Sequence, residues 1–473
     1  MKKEDLFQAM NDIDENSIIE ASSYKAMPKV VLARRIVLGI CVLVLAIGIL
    51  PMLKKGNANY TSGVLEVQAQ YPEATSPNMS PEAFVSGDAH WQWWQAYQET
   101  VDASSGLQEG MEAFNTALMT HLLTSEDENT VCSPINVYLA YSMLAEIAGN
   151  NSRKQILNAL GVKNIETLRT NATKLWQANY VDTPVLKSLL ANSLWLNGKL
   201  HYNADTLELL AKSYYASTFC GEPGSQEMDQ SLQQWINENT NDLLKEYVED
   251  LHLDPRTIIA IVSTIYYKAM WTTNFNEQAT DDSVFHGTKG DTTVKMMHSD
   301  EMTSVYHGDH FISLEKPLSD SGNMYFFLPK EETDVNALIN DPEVYEAMKD
   351  SSEEKRTFPI VHLSVPRFKV SAKMDLLETM KELGMNDILD PSKANFKPLI
   401  QESEEIFLSS AEHAAMVEIN EQGVTGAAFT DLMVTGAGMP QEEIDFVLDR
   451  PFFFMVTGRD GSILFSGVVR NIA

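Results

Sequence analysis

The sequence predicts an α+β fold with a helix-rich first part and a large, mainly antiparallel sheet, preceded by one transmembrane helix. Three observations predict it. Helical periodicity begins at residue 107, a long β-branched run follows at 258–267, and two strands flank a glycine turn near the C-terminus. Of the 473 residues, 44% are apolar and 9% aromatic, enough for a full core and too many for a disordered chain. Lys and Arg total 35 against 66 Asp and Glu, a net charge of −31. Such a surface cannot displace the counterions of nucleic acid, so no nucleic-acid partner is expected. Cys41, Cys132 and Cys220 provide neither a disulfide framework nor a zinc-ligand spacing.

Residues 1–35 mix acids and bases with a weak apolar pattern (Leu6, Phe7, Met10, Ile13) and read as a cytoplasmic tail. Residues 36–53 contain no charge, and as a helix would cover roughly 27 Å, a hydrocarbon core's thickness. Arg34 and Arg35 abut this run; Lys54 and Lys55 follow it, and the next Lys or Arg is Arg153. The basic weight on the N-terminal flank places the remainder outside the cell, in a single-pass membrane protein. A cleaved signal peptide is the competing reading, opposed by the long leader and the lack of an A-x-A site. Residues 54–106 have linker chemistry (GNANYTSG, EATSPNMSPEA), interrupted by an aromatic cluster, His90 to Tyr97. That cluster is too dense for a free tether and is expected to pack on the domain behind it, residues 107–473.

Within that domain Leu107, Met111, Phe114, Leu118 and Leu122 mark one helix face. Ser133-Pro134 reads as an N-cap and first turn of a helix running toward Gly149. Ser152 to Gln155 fits a capping box ahead of a helix ended by Gly161. Ile258 to Tyr267 reads as a strand covered on both faces. Shorter strands are expected at Met324–Leu328, His362–Val365 and Ile406–Leu408. Phe452–Thr457 and Ile463–Val469 flank the turn Gly458-Arg459-Asp460-Gly461.

No nucleophile elbow, zinc-protease, phosphate-loop or dinucleotide motif occurs, and the ten histidines do not pair at metal spacing. No catalytic residue, metal or cofactor is therefore assigned. The informative stretch is 417–450. It opens and closes as strand, and between Glu421 and Glu442 lie some twenty residues of mostly Gly, Ala, Thr and Val with one charge, Asp431. Every second residue from Val424 (Gly426, Ala428, Thr430, Leu432, Val434) is uncharged, while the other register holds Asp431. A loop with one face fit for burial is a candidate two-state element.

In these residues the chain resembles a serpin over about 107–473. The likeness rests on Asn129 to Pro134 with Met143-Leu144 and Gly149, then Ser263–Tyr267 with Lys268 and Trp271. It continues through Leu363, Val365–Phe368, Asp375-Leu376 and Leu383-Gly384, then His413, Ile419–Glu421 and Gly423, and ends on Phe446–Phe452. The resemblance implies a suicide-substrate inhibitor of serine or cysteine proteases. The exposed loop is cleaved, and the acyl-enzyme is trapped as the loop inserts into the main sheet. The expected partner is thus a target protease in covalent complex, and the inhibitor itself a monomer. The 30 residues from Glu421 to Pro451 make Ala437–Gly438 the first choice for the scissile bond, with neighbouring bonds at Gly436, Met433 and Val434 left open. No Lys or Arg lies between Glu421 and Arg450, which favours elastase-like or subtilisin-like targets.

The resemblance further implies a loop hinge at Glu421, Gly423, Val424, Thr425, Gly426, Ala427 and Ala428. It makes Glu421 and Arg367 a charge pair beside Trp271, and has Ser133 and His413 hydrogen-bond beneath the parting strands. Val424, Gly426 and Phe429 depart from the family's usual loop, and Asn136 and Ser263 from its usual pair under the sheet. A non-inhibitory serpin acting as a surface binding module is the alternative reading, and an enzyme with an unrecognised site a further one.

Overall fold

Helices form where apolar residues recur every three or four positions. A computed structural model describes residues 37–49, 64–71, 84, 88–241, 245–349, 353–400, 406–421, 423 and 442–472. The tail 1–35 lies outside the described residues. Helix α1 spans Asp88–Ser104 and α2 Leu107–Leu123, the latter burying Met111, Phe114, Leu118 and Leu122. Helix α3, Pro134–Ile147, starts on its proline and is buried on every side, packed against both large sheets. Ser133 stands at its N-cap without a side-chain capping bond.

Helix α4, Asn150–Ala159, starts before the expected capping box, so Ser152 lies inside it. Its end follows the glycine signal: Gly161 sits at φ 69°, with Gly161 N–H donating to Asn158 (3.1 Å) and Val162 N–H to Leu157 (2.9 Å). Helix α5, Ile165–Asn179, is capped by Asn164, which accepts from Thr167 N–H at 2.8 Å. Helices α6, Ala204–Ser213, and α7, Gln226–Asn239, follow.

Among the described residues, nineteen strands form three sheets. In chain order they are β1 (Val37–Ile49), β2 (Val64–Val67), β3 (Thr130–Cys132), β4 (Val181–Asp182), β5 (Lys187–Asn197) and β6 (Ala216–Gly221). Then come β7 (Thr257–Ala269), β8 (Asp281–Gly287), β9 (Gly290–Met302), β10 (Val305–His307), β11 (Phe311–Pro317) and β12 (Asn323–Pro329). The rest are β13 (Arg356–Thr357), β14 (Ile360–Pro366), β15 (Phe368–Asp375), β16 (Ile406–Ile419), β17 (Glu443–Val447), β18 (Phe452–Thr457) and β19 (Ile463–Val469). The main sheet runs β15-β16-β1-β7-β5-β6-β2, with β4 on β5. The second runs β13-β10-β11-β12-β18-β19-β3, the third β17-β14-β9-β8. The expected α+β architecture is present.

The expected transmembrane helix at 36–53 is corrected. Residues 37–49 form β1, antiparallel to both β16 and β7 in the middle of the main sheet. No helix among the described residues is long and apolar enough to cross a membrane. A central strand is covered on both faces, so it asks for the same unbroken apolar run that a bilayer-spanning helix does. Six of the thirteen residues of β1 are Val or Ile, which favour the extended backbone.

The stretch read as linker, 54–106, also carries structure: β2 pairs with β6, and α1 docks on the domain. Trp93 and Tyr97 are buried, Arg459 lies over the Trp94 ring at 4.4 Å, and His90 meets Asp320 at 3.0 Å. The turn between β18 and β19 reinforces this docking. Asp460 accepts hydrogen bonds from Ser104 and Gln108, both at 2.9 Å, and from Asn179 at 3.2 Å.

Candidate functional site

The site is the slot in the main sheet between β7 and β16, filled here by β1, with Glu421 and Gly423 at its upper end. The loop, with Ala437, Gly438 and the hinge positions Val424, Thr425, Gly426, Ala427 and Ala428, lies outside the described residues. Its two roots are described. Strand β16 delivers Glu421 and Gly423, and β17 picks the chain up again, running parallel to β14.

At the upper end the structure brings Glu421, Arg367 and Trp271 together. Arg367 Nε donates to both Glu421 oxygens, at 2.8 and 2.9 Å, and Thr280 Oγ1 donates to Oε1 at 2.6 Å. The Glu421 side chain is 3% exposed, so burial pushes its pKa up. The Arg367 and Thr280 hydrogen bonds outweigh that and hold it below the ordinary glutamate value. Trp271 is buried and donates through Nε1 to Asn420 O at 2.8 Å, tying the end of β7 to the end of β16. Gly423 sits at φ 69°, and a Cβ there would stand 2.5 Å from Met270 Cα, so only glycine fits.

Below Trp271 lies a pair that sequence reasoning missed. Lys316 is 1% exposed, bonds Glu301 at 2.7 Å, and holds its Nζ 4.4 Å from the Phe275 ring centroid and 5.5 Å from that of Trp271. Burial lowers its pKa and Glu301 opposes the shift. Its one sequence signal was a cation two residues after buried Leu314, where strand alternation calls for an apolar side chain.

Halfway down the slot, His413 of β16 is fully buried and accepts a hydrogen bond from Ser133 N–H at 3.0 Å. The contact uses the Ser133 backbone; among the described residues the Ser133 hydroxyl has no hydrogen-bond partner. Ser133→Ala removes a buried hydroxyl left unpaired, so it should lower stability at the urea midpoint by no more than about 0.5 kcal/mol. A loss several times larger would show that the hydroxyl matters. Ser263 of β7 donates instead to Asn192 of β5 at 2.7 Å, a partner the sequence did not reveal.

Burial lowers the His413 pKa to about 3. The unfolded chain takes up this proton near pH 6.5 and the folded chain only near pH 3. The contribution is thus complete above about pH 6.5 and is lost as pH falls, by about 1.4 kcal/mol per pH unit. Urea midpoints between pH 7.5 and 5 should fall less steeply in His413→Asn. Parallel slopes in the two proteins would contradict this assignment.

The described thiols are not poised for chemistry. Cys132 is fully buried, which pushes its pKa up, and Cys220 is shifted the same way. Among the described residues no cluster of His, Cys, Asp or Glu could hold a metal ion.

Residues 109–472 match the family described as serpin (serine protease inhibitor). The chain is 28% identical to human neuroserpin over 375 residues, covering 74% of this chain and 87% of that protein. It is also 28% identical to a serine protease inhibitor of Cyanea capillata, over 74% of this chain and 94% of the relative. Its fold superposes on the native state of the thermophilic serpin tengpin with a TM-score of 0.68 at 21% identity, covering 87% of this chain and all of that one. With its family pattern spanning more than three quarters of its length, the chain belongs to the serpin family.

Proposed function

We propose that this serpin is a suicide-substrate inhibitor whose bait is the loop from Glu421 to Arg450, cleaved at Ala437–Gly438. The target's nucleophile attacks the Ala437 carbonyl, the bond to Gly438 breaks, and the freed arm inserts between β7 and β16 before water reaches the ester. The observation that carries this reading is the slot itself. The main sheet accepts an uncharged strand of thirteen residues there, antiparallel to both neighbours. An arm turning back from β16 through the Glu421–Gly423 hinge would enter in the same direction. Each backbone hydrogen bond it gains is worth about 0.5–1.5 kcal/mol net. Small apolar residues around the bond fit the shallow pocket of an elastase-like or subtilisin-like protease.

Incubation with a panel of serine proteases followed by denaturing gels tests the proposal. A complex that survives denaturation supports it. Cleaved loop and no complex with every protease, also after Val42→Pro weakens β1, supports a non-inhibitory binding module instead, a reading favoured by one observation, that β1 already fills the slot. The uncharged run 36–53 beside Arg34 and Arg35 would tether the domain at a membrane only where residues 37–49 are not paired as β1.

A further inference from the structure

We infer that residues 37–49 are an internal rival of the reactive loop: docked as β1 they plug the slot and silence the inhibitor, and withdrawn into lipid they free it. The inference rests on the inhibitor reading above. Its basis is the identity of the place. β1 lies between β7 and β16 along nearly its whole length, from Leu38 opposite Glu418 and Lys268 to Ile49 opposite Ile406. It descends from the end of β16 that carries the hinge, the direction a cleaved loop would follow. Its thirteen residues nearly match the fourteen from Val424 to the proposed cleavage point at Ala437. Two strands cannot occupy one position in a sheet.

The composition shows which strand is the better tenant. β1 has six Val or Ile, no charge and two glycines, whereas 424–436 carries Asp431, two glycines and two alanines. The register sets Leu43 between His413 and Ser263, and Cys41 between Ala415 and Ile265, the rows where β16 and β7 are buried. Departure of β1 need not disturb the rest. Residues 50–63 separate it from β2 and can stretch to roughly 45 Å, while β2 lies four strand spacings away, roughly 19 Å. The run 36–53 is uncharged and long enough to cross a bilayer as a helix, so a lipid phase offers the alternative home.

The native cysteine reports the state. Residues 41 and 415 stand directly opposite, so in full-length Ala415→Cys mild oxidation should join Cys41 to the introduced thiol, identified by peptide mass mapping. The link is expected in detergent-free buffer and at least tenfold less in phosphatidylcholine vesicles. No link in buffer, or equal linking in both, overturns the inference. Full-length Val42→Pro, which removes a ladder donor from β1 alone, provides a second arm that leaves β16 unaltered. In buffer its ratio of covalent complex to cleaved chain with pancreatic elastase should exceed that of the unaltered chain at least tenfold. Equal ratios, with complex formed by both, overturn the inference. If no form of the chain traps any protease, the inhibitor reading fails, while the cross-link still decides whether β1 occupies the slot.

Discussion

In the Val42→Pro chain, whose slot β1 no longer holds, Thr430→Arg is expected to turn an inhibitor into a substrate: the loop is still cut, but the yield of covalent complex falls at least tenfold. Thr430 lies on the register read as facing inward, with Val424, Gly426, Ala428, Leu432 and Val434. An inserted arm would set that row beside Ala411, His413, Ala415 and Val417, all buried on β16. A guanidinium there has no carboxylate to meet, and burying an unpaired charge costs several kcal/mol. Insertion must outrun deacylation, so a barrier raised by even about 1.4 kcal/mol slows it tenfold. Asp431→Arg, on the opposite register, is the control and should keep its complex. Denaturing gels at fixed protease ratio read both, and equal loss in the two variants would refute the register.

Glu301→Ala should destabilise the folded domain by about 3–5 kcal/mol. It leaves the Lys316 ammonium buried against Phe275 and Trp271 without its 2.7 Å partner. The ring faces compensate for only part of that, since a cation over an aromatic face is worth about 2 kcal/mol when desolvated. The double variant Glu301→Leu with Lys316→Met, apolar and of similar size, should recover most of the loss. Denaturant midpoints of the three proteins decide it. A double variant as unstable as the single one would mean that shape, and not the unpaired charge, is at fault.

The fold was legible wherever one period dominated. The helix faced by Met111, Phe114 and Leu118 stands where helical spacing put it, and the β18–β19 hairpin where two apolar runs flank a glycine turn. The run 37–49 was not legible, because an unbroken apolar stretch serves a two-faced strand and a bilayer helix equally well, and periodicity cannot separate them. Ser152 looked like a cap, yet the helix began earlier, since Gly149 and Asn150 could set its start without a side-chain acceptor. In the site, Glu421 and Arg367 could be paired only through the family pattern, being 54 residues apart. Thr280 and Asn192 are single polar residues whose partners lie far along the chain, which no local pattern announces; Lys316 breaks the alternation of β11, yet nothing local names Glu301 as its partner.

The bonds converging on Asp460 bear on where the chain can be trimmed. The family pattern begins at residue 109, which invites cutting just upstream. Such a cut would delete Ser104 and Gln108 from a carboxylate whose pKa burial already raises, and would strip the indole and phenol of Trp93 and Tyr97 from the surface they cover. The autonomous unit therefore starts before its family boundary, no later than Asp88, and shorter pieces should be recovered from expression as aggregates.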